Sequence, residues 1–243
     1  ERSELHKAPT SLPRVPEGVE SDRLETWGLH PAKPDWAGGI AAAWTPGEDG
    51  AQARLDALTD DILQDYNKTR DIPGVDGTSR LSPHLHFGEA SPRQAWNAGY
   101  TAADAAGGKR DAGAEAFLRE LVWREFSHHL LFHWPHIPEV PFRHEFSKFA
   151  WRDDEKALKR WQKGKTGIPI IDAGMRELWT TGWMHNRVRM VVASFLVKHL
   201  LVPWQQGEQW FWDTLVDADL ANNSASWQWV AGCGADAAPY FRI

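Results

Sequence analysis

Apolar residues recur at helical spacing along most of this 243-residue chain. The most regular stretch runs from Asp111 to about Trp134, and a second runs from Glu48 to about Tyr66. Gly and Pro bound further stretches of this kind, which predict helices near Pro83, over 91–100, and over 153–163, 168–181, 185–201 and 205–216. No strand pattern of comparable strength occurs. The sequence therefore predicts an all-α fold.

Residues 1–46 lack this periodicity. They contain six prolines, which do not allow long helices. We expect a linker or wrapping arm over residues 1–46, followed by a helical domain over residues 47–243. Within that domain, the small residues from Thr101 to Asp111 predict a loop between two helices.

The stretch from Asp217 to Trp229 does not have the composition of a core segment, because it places two acids, two asparagines and two indoles within thirteen residues. Buried Asp and Asn side chains need hydrogen-bond partners, which a bound heterocycle with N–H edges would provide. The alternative is a solvated helix-capping loop, in which Asp and Asn satisfy backbone N–H groups and the indoles pack. The stretch alone leaves both interpretations open.

Two other segments carry candidate chemistry. Thr78, Ser79 and Ser82 cluster three hydroxyls around Arg80 on a turn, which suits a phosphate; the alternative is an N-cap for the helix near Pro83. The long predicted helix carries Glu120, Trp123 and Arg124, whose carboxylate, indole and guanidinium suit contact with a nucleic-acid base. The alternative is an ordinary Glu-Arg pair beside a half-buried indole.

Two apparent motifs do not predict ligand sites. His129 and His133 are four residues apart, but no third metal ligand follows at a familiar spacing, so no metal site is predicted. Gly164-Lys165-Thr166 lacks the earlier glycine of a P-loop, because that position is Lys159, and no strand precedes it.

Composition and charge narrow the function classes. Fifteen tryptophans against three tyrosines suggest that indoles take part in the chemistry. The net charge is −6, but residues 1–66 carry −7, so the remainder carries +1. Eight bases and four acids between Arg143 and Lys165 indicate a basic face or a solvated helix surface. With one cysteine, no long apolar run and no signal peptide, we expect a cytoplasmic protein without a membrane partner.

Several motifs occur together in one order: Thr78-Ser-Arg-Leu-Ser82, Glu120-Leu-Val-Trp-Arg-Glu-Phe126, Gly182-Trp-Met-His-Asn-Arg-Val-Arg-Met190, and Asp217 to Trp229 followed by Ala235-Asp-Ala-Ala-Pro-Tyr-Phe-Arg-Ile. Together they resemble the FAD-binding domain of the photolyase/cryptochrome family, most specifically class I cyclobutane pyrimidine dimer photolyases. The resemblance implies light-driven repair of such dimers in UV-damaged DNA by electron transfer from reduced FAD, in a chain expected to be monomeric.

The resemblance also implies the roles of individual residues. The FAD-binding set comprises Tyr66, Thr78, Ser79, Arg80, Leu81, Ser82, Arg189, Asp217, Ala218, Asp219 and Asn223. Within it Asn223 would face flavin N5, and Arg189 would pair with Asp217 and favour an anionic reduced flavin. The electron-transfer chain comprises Trp227, Trp204 and Trp151. The residues that meet the lesion or its DNA backbone are Arg70, Glu120, Trp123, Arg124, Asn186, Arg187, Met190 and Trp229.

Family members also carry an N-terminal α/β antenna domain and a C-terminal helical segment, so this chain is expected to be a catalytic domain lacking both, with an undetermined antenna pigment. Residue 127 is Ser where relatives often have Tyr. Two alternative functions follow from the resemblance: a cryptochrome-like light sensor without repair, and a (6-4) photolyase. The amide Asn223 and the indole pair Trp123 and Trp229 favour dimer repair over sensing, and the motif at 184–190 differs from the His-rich motif expected for (6-4) repair.

Overall fold

The computed structural model describes residues 11, 14, 16–105 and 112–238. Eleven α-helices form there: α1 Gly38–Ala43, α2 Glu48–Ala57, α3 Tyr66–Thr69, α4 Ser82–His86, α5 Pro92–Ala105, α6 Ala112–His133, α7 Glu155–Gln162, α8 Pro169–Thr181, α9 Asn186–Ser194, α10 Trp204–Thr214 and α11 Leu220–Ala231. Short 3-10 turns lie at Leu24–Trp27, Leu63–Asp65 and His144–Lys148, and π-helical turns at Leu58–Ile62 and Phe195–His199. The described residues contain no β-strand. The all-α prediction is confirmed.

The helix predicted from Glu48 to Tyr66 is interrupted. A π-helical turn follows α2, a 3-10 turn follows it, and α3 begins at Tyr66. The interruption has a packing reason, because Leu58 and Leu63 are five residues apart and both are buried in the same cluster. A turn closed by a hydrogen bond from Leu63 N to Leu58 O brings them to one face.

Two other segments differ from the predicted elements. The loop predicted from Thr101 to Asp111 is wrong over its first part, because α5 continues to Ala105. Alanine is the best helix former, and Ala102 and Ala103 pack against the core. The predicted helix over 185–201 ends as an α-helix at Ser194 and finishes in a π-helical turn.

Two hydrophobic clusters form the core of the described residues. One is built from α2, α3, α5 and α6 and includes Leu58 and Phe117. The other is built mainly from α7 to α11 and includes Trp161 and Leu196. Helix α6 contacts α3 and α5 of the first cluster and α11 of the second. It therefore joins the two clusters along the region where the candidate site lies.

Part of the predicted arm packs against the helical domain. Helix α1 contacts α8, and the indole of Trp44 donates a 2.8 Å hydrogen bond to the carbonyl of Thr181. The Trp44 ring also contacts Trp183 edge to face, with ring centroids 6.4 Å apart. The 3-10 turn Leu24–Trp27 has no buried residue. The boundary at residue 46 stays a prediction.

None of the helices in the described part of the chain has the length and apolar character needed to cross a bilayer. The final Pro239-Tyr-Phe-Arg-Ile243 portion of the fourth motif lies outside the described residues.

Candidate functional site

One cavity of about 620 Å³ opens between the two core clusters. Its lining extends from Tyr66 to Asp236 in sequence and includes residues of α3, α6, α9 and α11 and the segment 78–82. Every residue predicted to bind the cofactor or the lesion lines this cavity. Of the predicted electron chain, only Trp227 does. The fold thus brings together residues that the sequence separates widely, while their individual roles stay predictions.

The segment 78–82 is held from outside the cavity by Arg54. Its guanidinium donates hydrogen bonds to the carbonyl oxygens of Ser79 (3.1 Å) and Thr78 (3.3 Å). Arg80 adopts φ = 49°, in the left-handed region of backbone conformation that residues other than glycine rarely occupy. Its guanidinium lies 4.8 Å from the centroid of the Trp183 ring. Together these contacts fix the course of a short polar segment along the cavity wall.

The alternative interpretation of this segment as an N-cap is wrong in its side-chain detail. A short helix does begin at Ser82, with Pro83 in its first turn, but no side chain caps it. The Ser82 hydroxyl instead donates a 2.6 Å hydrogen bond to Asp217 Oδ2. Ser82 therefore links this segment to the start of the polar stretch, 135 residues later in the sequence.

Asp217 is the most deeply buried carboxylate of the cavity, with its side chain 3% exposed. Its Oδ2 also accepts a 2.9 Å hydrogen bond from Arg189 Nη2, while Arg189 Nε donates to the carbonyl of Met184. This is the ion pair that the resemblance implies. Asp217 Oδ1 is buried and has no hydrogen-bond partner. An unpartnered buried acceptor costs about 1–3 kcal/mol, so this oxygen suits an N–H or O–H donor of a ligand.

The rest of the polar stretch forms α11. Asp219 caps it, accepting a 2.8 Å hydrogen bond from Asn222 N, and its Oδ2 lies 3.3 Å from His128 Nε2. Asn223 is buried, and its amide donates to the backbone carbonyl of Glu208. The capping interpretation is therefore correct for Asp219, whereas the stretch after it is helix and not loop. Asp217 does not cap the helix and remains available to a ligand.

Glu208 lies behind Asn223, away from the cavity lining. It is 7% exposed, and its carboxylate accepts a hydrogen bond from the hydroxyl of Ser224. Burial raises the pKa of Glu208 to about 7, an effect that the Ser224 hydrogen bond opposes. Near neutral pH a substantial fraction of this side chain is therefore protonated, one residue contact away from the cavity.

Two ion pairs lie at the lesion-side wall. Arg70 Nη1 donates to Glu120 Oε1. Arg187 forms a two-pronged ion pair with Asp71, in which its Nε and Nη2 each lie 2.8 Å from a carboxylate oxygen. The alternative of an ordinary pair between Glu120 and Arg124 is wrong, because Glu120 pairs with Arg70, whereas Arg124 Nη1 lies 3.3 Å from Glu125 Oε1. Helix spacing alone could not reveal these partners, since they come from distant segments.

Two indoles of the lesion-side set face the cavity from different helices. Trp123 on α6 is 49% exposed, and Trp229 on α11 is half-buried. Both indoles offer flat apolar faces to a planar ligand. The same cavity thus has a buried acidic part at Asp217 and an aromatic part at these two rings.

The three tryptophans of the predicted electron chain belong to one hydrophobic cluster. Trp227 and Trp204 are 2% and 1% exposed, and Trp151 packs against the cluster from a half-buried position. Gly207 permits this packing, since a Cβ at that position would overlap the Trp227 ring. Trp161, which the sequence did not single out, contacts Trp227 edge to face at 6.2 Å. The electron-transfer role stays a prediction.

Several structural contributors were missed at the level of sequence. Arg54, Asp71 and Glu208 act through partners that are 15 or more residues away, so no local spacing identifies them. The basic run 143–165 contributes no residue to the cavity lining, and on α7 Lys159 pairs with Glu155. That run fits the solvated-surface interpretation. Among the described residues, no group of three or more His, Cys, Asp or Glu is placed to hold a metal ion.

Comparisons with known proteins converge on one family. Residues 117–243 match the family model for the FAD binding domain of DNA photolyase. The chain is 52% identical to deoxyribodipyrimidine photo-lyase of Agrobacterium fabrum, over 97% of this chain and 48% of that protein. It is 41% identical to Cryptochrome-1 of Arabidopsis thaliana, over 84% of this chain and 30% of that protein. The chain spans about half the length of the curated photo-lyases it matches.

A solved structure gives the same family with a different class. The crystal structure of a bacterial class III photolyase from Agrobacterium tumefaciens superposes with a TM-score of 0.86 at 52% identity, covering 97% of this chain and 47% of that one. The assignment to the photolyase/cryptochrome family is confirmed. The finer assignment to class I is not confirmed, because this similar structure belongs to class III.

Proposed function

Because this chain belongs to the family of FAD-binding domains of DNA photolyases, we propose that it uses bound FAD and light to split cyclobutane pyrimidine dimers in UV-damaged DNA. The observation that carries the proposal is a single cavity that combines a buried, unpartnered carboxylate oxygen at Asp217 with two indoles, Trp123 and Trp229. A flavin is a flat heterocycle with polar edges, and a flipped-out pyrimidine dimer presents apolar ring faces beside polar edges, so the two together need such surroundings side by side.

The residues present fit FAD. The hydroxyls and backbone of 78–82, with Tyr66, would hold the phosphates, and the free oxygen of Asp217 would accept from the flavin or its ribose. Asp219 and Asn223 complete the polar wall, with Leu81 and Ala218 as apolar contacts. The positive charge of Arg189 beside Asp217 would favour an anionic form of the ring. When bound and reduced, FAD supplies the light-driven one-electron reduction that cleaves the cyclobutane ring.

The lesion would occupy the aromatic part of the cavity. A damaged pair is weakly stacked, so turning it out of the duplex costs less than turning out an intact base. Trp123 and Trp229 would hold its apolar faces, and Glu120, kept in place by Arg70, would accept hydrogen bonds from its N–H edge. The remaining contacts to the lesion and its backbone would come from Arg124, Asn186, Arg187 and Met190.

Trp227, Trp204 and Trp151 would carry electrons inward when the flavin has become oxidised. Their positions support this order, because Trp227 lines the cavity, Trp204 is buried in the same hydrophobic cluster, and Trp151 packs against that cluster from a half-buried position. We further propose that the chain acts as a cytoplasmic monomer whose helical domain begins near residue 47. Its single cysteine, Cys233, is buried, which fits a reducing compartment.

A repair assay tests the proposal. The purified chain is reconstituted with FAD, reduced, mixed with an oligonucleotide that contains one cyclobutane dimer, and kept in the dark or under blue light; restored thymines are quantified by chromatography. We expect flavin absorption bands and light-dependent repair. A second oligonucleotide with a (6-4) lesion serves as the specificity control. Bound flavin without repair of either lesion would favour the sensor function, and absence of flavin after reconstitution would refute the proposal.

A further inference from the structure

A carboxylate that the proposed function does not use stands beside the cavity. Asp71 follows Arg70 just after α3, and it is not among the residues that line the cavity. Its side chain is 45% exposed. Its partner Arg187 does line the cavity and is 38% exposed, so the pair is accessible from outside.

The geometry of this pair is that of a guanidinium fork. Arg187 Nε donates to Asp71 Oδ1 and Nη2 lies beside Oδ2, both at 2.8 Å, and the third nitrogen lies 3.5 Å from Met190 Sδ. Arg70 Nε adds a second cation 3.5 Å from the same Oδ1. The hydrogen bond from Arg187 lowers the pKa of Asp71, and burial opposes this less strongly. The Asp71 carboxylate is therefore ionised at neutral pH, where the protein would meet duplex DNA.

A guanidinium binds carboxylate and phosphate in the same two-pronged geometry. Asp71 thus occupies the Nε–Nη2 edge of Arg187, one of the two edges at which a guanidinium takes a phosphate in this way. A phosphate that approaches Arg187 also meets the negative charge of Asp71 at that position, and it has to displace the carboxylate to form the same contact.

We infer that Asp71 is a built-in competitor for a DNA phosphate at Arg187, and that it limits how tightly the chain holds DNA, with or without a lesion. The inference rests on the proposed function, because Arg187 meets a phosphate only if DNA is the partner. A phosphate contact carries no sequence or damage information. Recognition of the dimer depends instead on the residues inside the cavity, such as Trp123 and Trp229.

The expected size follows from counterion release. Each phosphate contact changes the slope of log K against log salt by about −0.9. The gain in affinity from one added contact is therefore up to about eightfold larger at 0.1 M salt than at 1 M. Asp71→Asn should therefore tighten binding severalfold at low salt and steepen the salt dependence by up to about 0.9. Because the contact is to the backbone, the ratio of affinities for damaged and intact DNA should stay within about twofold of the parent's.

The experiment compares the FAD-loaded parent with Asp71→Asn, Asp71→Ala and Asp71→Glu in titrations between about 0.05 and 0.2 M salt, each against DNA with and without a single dimer. Asp213→Asn is the control for net charge. It removes the same charge from an exposed position on α10, at a crevice that shares no lining residue with the cavity. The inference is supported if Asp71→Asn and Asp71→Ala bind DNA more tightly and with a steeper salt dependence than the parent. In that case Asp71→Glu and Asp213→Asn should bind with nearly the parent's affinity.

The other outcomes overturn it in separable ways. Weaker binding by Asp71→Asn would mean that Asp71 holds Arg187 in its DNA-binding position, and an equal gain in Asp213→Asn would reduce the effect to net charge. If the parent prefers the dimer while the Asp71 variants bind as it does, the inference alone fails. If the parent shows no preference for the dimer, the proposed function fails, and if the parent binds neither DNA, the inference fails with it.

Discussion

Replacing Asp217 by Asn tests the centre of the candidate site, because it keeps the shape of the side chain and removes its charge. The Asp217 side chain is 3% exposed, and its Oδ2 accepts hydrogen bonds from Ser82 and Arg189. Arg189 is 23% exposed, so the substitution leaves a largely buried guanidinium without its counter-charge. We therefore expect both a loss of stability and a loss of FAD affinity.

The magnitude can be estimated from the burial. Breaking a buried ion pair from one side costs about 3–5 kcal/mol, because the remaining charge is uncompensated. Arg189 keeps its hydrogen bond to the carbonyl of Met184 and some contact with water, which places Asp217→Asn near the lower end, at about 3 kcal/mol. Ser82→Ala removes one hydrogen bond to a charged acceptor and should cost about 1.5–3 kcal/mol.

The assay is urea unfolding followed by tryptophan fluorescence, with and without FAD, together with a flavin titration of each variant. Asp65→Asn is the matched control, because Asp65 forms an exposed ion pair with Lys68, and exposed pairs contribute about 0–1 kcal/mol. If Asp217→Asn loses no more stability than Asp65→Asn and keeps the FAD affinity of the parent, the reasoning from burial and pairing at this site is wrong.

Three further predictions concern the aromatic and acidic parts of the site. Trp123→Ala and Trp229→Ala should each weaken dimer binding about five- to more than a hundredfold, since stacking on a base contributes about 1–3 kcal/mol, as measured by titration of damaged and intact DNA. Trp151→Phe, Trp204→Phe or Trp227→Phe should slow photoreduction of oxidised flavin and spare repair by the reduced protein. Flavin absorption measures the first process and loss of dimers measures the second. Glu208→Gln should remove up to about 3 kcal/mol of pH-dependent stability, measured by urea unfolding.

The sign of the Glu208 effect follows from its raised pKa. A carboxyl with a folded pKa of about 7 and an ordinary unfolded pKa contributes stability at low pH that is lost as the pH rises from about 4.5 to about 7. The parent should lose stability relative to Glu208→Gln across that window, and parallel curves of stability against pH would contradict the prediction.

A preference for the dimer that survives both indole substitutions would show that Trp123 and Trp229 do not clamp it. Equal photoreduction in all three chain variants would remove the electron-chain assignment.

The sequence identifies the helices better than it identifies what interrupts them. The 3.6-residue repeat of α6 gives its bounds to within one or two residues, because the pattern is long and uninterrupted. The π-helical turn after α2 could not be predicted, since it depends on which cluster buries Leu58 and Leu63 together. In the same way, α5 extends past the predicted end because Ala102 and Ala103 find partners in a cluster formed by distant helices.

The candidate site shows the same division. Residue types and order pointed to Asp217, Asp219 and the segment 78–82, because hydroxyls and carboxylates in apolar surroundings need a reason to be there. Pairing was not visible from local spacing, since Ser82 reaches Asp217 over 135 residues and Arg187 reaches Asp71 over 116. The pair of Arg189 with Asp217 came from the family resemblance, not from spacing. Tertiary contacts decide which charges face a ligand and which face each other.

The wide sequence range of the cavity lining has a consequence for biosynthesis. The lining begins at Tyr66 and continues to Asp236, with Asp217 and Asn223 in its later part. A ribosome working at about 5–20 residues per second needs on the order of 10–30 s to add the about 170 residues between these two ends. For the first part of that interval, until Thr181 has been added, the indole of Trp44 lacks its acceptor, and Ser82 lacks Asp217 for longer still. The cofactor therefore has no complete binding site on the nascent chain until the lining residues near Asp236 have been added, so FAD can be fully held only after that point of synthesis.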